Sequence, residues 1–153
     1  MIRGAREVCL SIAIVFVAGC DSDTIHAPPR GLPHSVATGT CAPTDAPAVA
    51  IYLSAAPVET LQPSAPYLRL AIWHTLDALS GRTWSLSPSS EEGSAWFHAT
   101  ATGFEIATRG SVTVTSVSDD NRVEGTVDVT FSTAGRIRGS FTATWMPSTL
   151  LCG

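Results

Sequence analysis

From Val123 to Trp145 apolar and polar side chains alternate with a period of two, which suits a strand with one buried face and no other regular structure. Val123, Gly125, Val127, Val129 and Phe131 fall on one side; Glu124, Thr126, Asp128 and Thr130 fall on the other. After a short break Ile137, Gly139, Phe141, Ala143 and Trp145 share a face, opposite Arg136, Arg138, Ser140, Thr142 and Thr144. Pairing residue 132 with 136 leaves Thr133-Ala134-Gly135 as the hairpin loop, with Gly135 where left-handed backbone is needed. That register sets Phe141 beside Val127 and Ala143 beside Gly125, inward against inward. A one-residue slip would turn the core outward. One strand earlier, Gly110 to Ser118 carries Val112 and Val114, and a turn at Asp120-Asn121 pairs Val114 with Val127 and Val112 with Val129. Three consecutive antiparallel strands with matching faces make a meander, with Val112, Val114, Val127, Val129, Ile137, Phe141 and Trp145 expected in its core.

Upstream the pattern is shorter but of the same kind. Val49 to Leu53 reads as a first strand, and Tyr67 to His74 alternates Leu68, Leu70 and Ile72 against Tyr67, Arg69, Ala71 and Trp73. Thr75 to Leu79 suits one helical turn, stopped by Ser80-Gly81. Arg82 to Leu86 and Ala95 to Ala99 read as short strands around a polar loop from Ser87 to Ser94. Thr, Ser, Gly and Val are abundant and helix formers are sparse after residue 82, so the expected class is all-β. About seven or eight antiparallel strands would close a sandwich or a partly open barrel.

The N-terminus has a different character. Arg3 and Arg6 precede Val8 to Ala18, an uncharged apolar run. As a helix it would span about 16 Å, roughly half of a hydrocarbon core, so it reads as the signal helix of a leader over residues 1–19 and not as a membrane span. Val17-Ala18-Gly19-Cys20 resembles the bacterial lipobox. The resemblance implies cleavage between Gly19 and Cys20, a lipidated Cys20 (diacylglycerol, then a further chain such as palmitate), and attachment to a membrane of the cell envelope. Each buried methylene contributes about 0.8 kcal/mol, so two or three chains anchor durably where one does not. Whether the inner or the outer membrane receives it is left open by Asp21.

Residues 20–47 hold Pro28, Pro29, Pro33, Pro43 and Pro47 among small polar residues, with little to bury. They read as a disordered tether with a reach on the order of 80 Å, leaving 48–153 as the globular domain. The phrases Val123-Glu-Gly-Thr-Val-Asp-Val-Thr-Phe131 and Gly139-Ser-Phe-Thr-Ala-Thr-Trp145 resemble those of β-rich envelope lipoproteins of GC-rich bacteria. That likeness implies a β-meander and no particular activity. With Cys9 in the leader and Cys20 lipidated, Cys41 and Cys152 remain, and in an oxidising envelope the even pair reads as a disulfide.

Function is thinly written. All nine basic residues are Arg; without Met1 to Gly19 the chain keeps seven of them against twelve acids, which disfavours nucleic acid and anionic lipid headgroups as partners. No nucleophile elbow, His-Glu-x-x-His or Cys-x-x-Cys is present, so no catalytic residue, metal or cofactor is assigned. Glu91-Glu92 suit a solvated loop, and Asp119, Asp120 and Glu124 a tight turn. His26 and His34 fall in the tether; His74 and His98 could meet on neighbouring strands. Of the four tryptophans, Trp73, Trp84 and Trp96 are the candidates for a binding surface, since aromatic side chains offer large contact area at small entropy cost. The expectation is a non-enzymatic interaction or structural module whose partner is an envelope protein or a glycan. The alternative is a small ligand or carbohydrate held in a barrel-like cavity.

Overall fold

A computed structural model describes residues 28–60, 63–120, 122–149 and 152. The leader, Cys20 and the first part of the expected tether lie outside the described residues. Nine strands make up the rest: β1 His34–Cys41, β2 Pro47–Ser54, β3 Tyr67–Ile72, β4 Arg82–Ser85, β5 Gly93–His98, β6 Phe104–Ile106, β7 Arg109–Ser118, β8 Arg122–Thr130 and β9 Arg136–Met146. The expected helical turn is a 3-10 turn over Leu76–Ala78. All nine strands belong to one sheet, ordered β4-β7-β8-β9-β1-β2-β3-β5-β6. The sheet curls into a half-barrel, so of the two all-β architectures the sequence allowed, the partly open barrel is the one formed. The curl brings its β6 end towards the β8–β9 hairpin: the Glu105 carboxylate accepts the N–H groups of Thr133 and Ala134 at 2.9 and 3.4 Å, and the Phe97 and Phe131 rings lie 5.9 Å apart.

The period-two pattern fills the concave side. Ile51, Leu53, Leu68, Leu70, Ile72, Val112, Val114, Val123 and Val127 are fully buried there, joined by Val129, Phe131, Phe141 and Ala143. Each buried Val, Leu or Ile contributes about 1.5–3 kcal/mol relative to exposure. Ile137 and Trp145, expected inside, are half-buried and pack against this cluster from its rim.

The meander β7-β8-β9 is antiparallel as expected, but both hairpins are offset by two residues from the expected registers. Val112 pairs with Val127 and Val114 with Gly125; Gly125 pairs with Phe141 and Val127 with Gly139. A two-residue offset keeps every side chain on its face, so alternation alone cannot detect it. Its causes are local. A bulge between Val114 and Ser116 takes up one residue, and the second turn closes earlier, with the Phe131 N–H donating to Gly135 O at 2.8 Å. Gly135 has the left-handed backbone foreseen for it, φ 75°.

The largest correction concerns the tether. Its second half is strand β1, and Leu32 ahead of it is already in the core. β1 runs antiparallel to β2 from His34↔Ser54 to Cys41↔Pro47 and parallel to β9 through Val36↔Thr144, Ala37↔Trp145 and Thr38↔Met146. The sheet is therefore mixed, and the folded unit takes in residues 28–47 together with the described part of the expected 48–153. With only Val36 and Ala37 as apolar residues, β1 shows no periodic signal; backbone pairing on both sides holds it, and small side chains let the neighbours close over it. Cys41 and Cys152 are joined by a disulfide, their Cα atoms 5.7 Å apart, which pins the end of β1 to the C-terminal segment.

On the convex side of β8 and β9, Arg136 grips Asp128 with two hydrogen bonds, one of them from Nε at 2.7 Å. That hydrogen bond, assisted by the charges of Arg136, Arg138 and Arg109 and partly opposed by desolvation, holds the Asp128 carboxyl below the usual carboxylate range. A lowered native pKa stabilises above the unfolded value and fades as pH falls through the native one. Asp128→Asn is therefore expected to cost about 0.2–1 kcal/mol at neutral pH, the range for a largely solvated pair. The gap to the native protein should begin to narrow below about pH 4, where the unfolded-state carboxyl takes up its proton, and close as pH falls through the lower native value. Urea melts at both pH values test this.

Candidate functional site

The convex faces of β2, β3, β5 and β6 carry what the core does not use. Because the inward positions there are taken by aliphatic residues, Tyr52, Tyr67, Arg69, Trp96, His98, Phe104 and Ile106 are turned outward. Strand pairing aligns them: Tyr52 opposes Arg69, Arg69 opposes Trp96 and Tyr67 opposes His98, and His98 opposes Phe104. The rings form a ladder. Tyr67 and His98 stack 4.3 Å apart and 10° from parallel; Tyr52 leans towards Tyr67 at 6.1 Å, and Phe104 towards His98 at 5.4 Å. Phe104 and Ile106, on the last strand, stay largely exposed.

Beside the ladder lies a cleft of about 800 Å³, lined by Tyr52, Tyr67, Arg69 and His98 and by the loop residues 63–65 and 99–101. Arg69 is fixed at its floor. Its guanidinium carbon sits 4.7 Å above the Trp96 ring, and one terminal nitrogen donates to Thr40 Oγ1 at 3.4 Å. Burial raises the Tyr67 phenol above its ordinary pKa, helped by Tyr52 and opposed by Arg69. Burial, seconded by the Arg69 charge, lowers the His98 imidazole. At neutral pH the Tyr67 phenol and the His98 imidazole are thus uncharged, and Arg69 brings a positive charge to the lining. Among the described residues of the lining none is a carboxylate, and Thr100 Oγ1, a loop hydroxyl on the wall, accepts the Gly103 N–H at 3.0 Å.

Of the three tryptophans proposed for a binding surface, Trp96 belongs to this site as the support of Arg69. Trp84 does not: it is 4 % exposed, faces the core opposite Val112 and is covered by the His74 ring at 4.2 Å. An indole on a four-residue edge strand is the easiest way to seal the end of the half-barrel, which sequence alone does not show. Trp73 is half-buried just beyond β3, its backbone N–H donating to Glu92 O. The other tentative groups separate. His74 follows the Ile72 end of β3 whereas His98 pairs with its Tyr67 end, roughly 20 Å of strand away. Asp120 accepts from Ser118 and pairs with Arg122 at 3.3 Å, as a tight turn requires. Glu92 caps the Ser85 N–H at 2.7 Å. Among the described residues no group of three His, Cys, Asp or Glu could hold a metal ion, and no helix is long and apolar enough to cross a membrane. Sequence reasoning passed over Tyr52, Tyr67 and Arg69. The signal for the last two was present, since both occupy the non-core face of the Tyr67 to His74 alternation.

No family model, curated protein or solved structure matches the chain.

Proposed function

We propose that the protein is an exported lipoprotein, anchored to an envelope membrane through lipid on Cys20, whose half-barrel is a non-enzymatic binding module. The Val17-Ala18-Gly19-Cys20 box behind its short apolar run supports the anchor. The observation that carries the binding reading is the convex cleft, where a fixed guanidinium and an aromatic ladder lie outside a core already complete without them. A ligand inside the barrel, the alternative raised by the sequence, meets a concave face occupied by Val, Leu, Ile and Phe. A glycan or an envelope partner at the convex cleft meets no such obstacle.

Cys20→Ala is expected to leave an uncleaved precursor or a form released without detergent, while the native protein partitions with the membrane. Fractionation of cells carrying each form decides it. Cleavage and membrane partition unchanged in the variant would remove lipidation as the anchor. Tyr67→Ala and Trp96→Ala should reduce capture of envelope glycan or protein by the purified native chain without preventing folding; unchanged capture would put the binding surface elsewhere.

A further inference from the structure

The chemical class of the ligand can be inferred, resting on the reading of the convex cleft as a binding site. We propose that the cleft takes a sugar acid or sugar phosphate: a ring lodged against the Tyr52–Tyr67 side, with a single oxyanion paired to Arg69.

Three observations converge on this. First, among the described residues that line the cleft Arg69 is the only one with a permanent charge, and none is a carboxylate that would compete for it. An oxyanion entering the cleft therefore meets one positive charge and no opposing one, in a chain whose formal charge is −4. Second, the guanidinium is held before any ligand arrives. Trp96 supports one face at 4.7 Å and Thr40 takes one terminal nitrogen, so little side-chain freedom is lost on pairing, and its planar fork matches carboxylate and phosphate oxygens. Third, Tyr52 and Tyr67 line the same cleft as Arg69, Tyr52 paired with it on the neighbouring strand and Tyr67 two residues away on its own strand. Each brings a hydroxyl and a ring edge, able to donate to an oxyanion or a sugar hydroxyl and to pack against the apolar side of a pyranose.

The test is calorimetric titration of the full chain in detergent with four probes: glucuronate, glucose 6-phosphate, glucose and inorganic phosphate. Glucuronate or glucose 6-phosphate should bind at least tenfold more tightly than glucose and than phosphate alone, and whichever of the two is tighter identifies the oxyanion. Arg69→Gln should erase the preference over glucose. Should that variant fail to fold, Arg69→Lys, which keeps the charge but loses the fork, should still weaken binding severalfold. Raising the ionic strength on the native protein should weaken the charged probes and leave glucose unmoved. Glucose binding as tightly as glucuronate and glucose 6-phosphate, insensitive to Arg69→Gln, would overturn the anionic class and leave the cleft as a neutral-ligand site. Phosphate binding as tightly as its sugar ester would overturn the role of the ring. Absence of binding by all four probes would overturn this inference, and if Tyr67→Ala and Trp96→Ala also left envelope capture unchanged, the binding reading would go with it.

Discussion

Replacing Cys41 with Ser is expected to destabilise the domain by about 4–5 kcal/mol, because the bond closes a loop with a sequence separation of 111 residues and chain-entropy estimates for loops near that size lie around 4.7 kcal/mol. Single domains are stable by only about 5–15 kcal/mol in total, so much of the margin would go. The location argues for the upper part of the effect. β1 pairs with β9 through a three-residue parallel ladder, supplemented by Ser35 Oγ donating to Thr142 O at 2.9 Å, Thr38 Oγ1 donating to Met146 O at 2.7 Å and Ser148 Oγ donating to Gly39 O at 3.1 Å. Those contacts bring together segments more than a hundred residues apart, and the disulfide is the covalent tie that keeps them close in the unfolded chain. Cys152→Ser and the double variant should match Cys41→Ser, since each removes the same bond, and a reductant should reproduce the shift in the native protein. Urea melts with and without reductant measure it. A loss below 1 kcal/mol would mean that β1 holds its place without the bond.

The same segment shows where sequence reading stops. β7, β8 and β9 announce themselves through Val112, Val127 and Phe141, because a half-buried strand must alternate and bulky residues make the alternation visible. Nothing in His-Ser-Val-Ala-Thr-Gly-Thr-Cys does so, and its conformation is settled by β2 and β9 on either side, contacts far away in sequence. The register of the first hairpin was lost for a related reason: a bulge between Val114 and Ser116 moves the ladder without altering which residues are apolar; that of the second was lost because its turn closes earlier, at Phe131 and Gly135. The convex cleft was half legible. Tyr67 and Arg69 stand on the outward face of a readable strand, but Tyr52, Trp96 and His98 join them only once β2 and β5 have paired with β3, and tryptophan as a residue type pointed equally to Trp84, which closes the core.

Phe141→Ala is expected to cost about 3–5 kcal/mol, the usual range for emptying an aromatic site in a core. Phe141 is 6 % exposed on the concave side of β9, paired with Gly125 of β8, and its ring lies where a Gly125 side chain would begin: an added Cβ there would be 2.8 Å from Phe141 Cζ. The ring thus fills space that the glycine leaves open, and truncating it leaves a gap with no side chain opposite to relax into it. Nor can the gap be refilled from β8. The same Cβ would stand 2.2 Å from the Thr113 carbonyl oxygen, a backbone atom of β7, so Gly125→Ala strains the ladder whether or not the ring is present. The double variant should consequently be no more stable than Phe141→Ala alone. Urea melts with an unchanged slope would assign the loss to the native state, and a loss under 1 kcal/mol would show that the ring is not packed as described. Because β9 is separated from β3 by β1 and β2 in the sheet, whatever fraction of the variant remains folded should keep the convex cleft intact, and with it any binding the proposal assigns there.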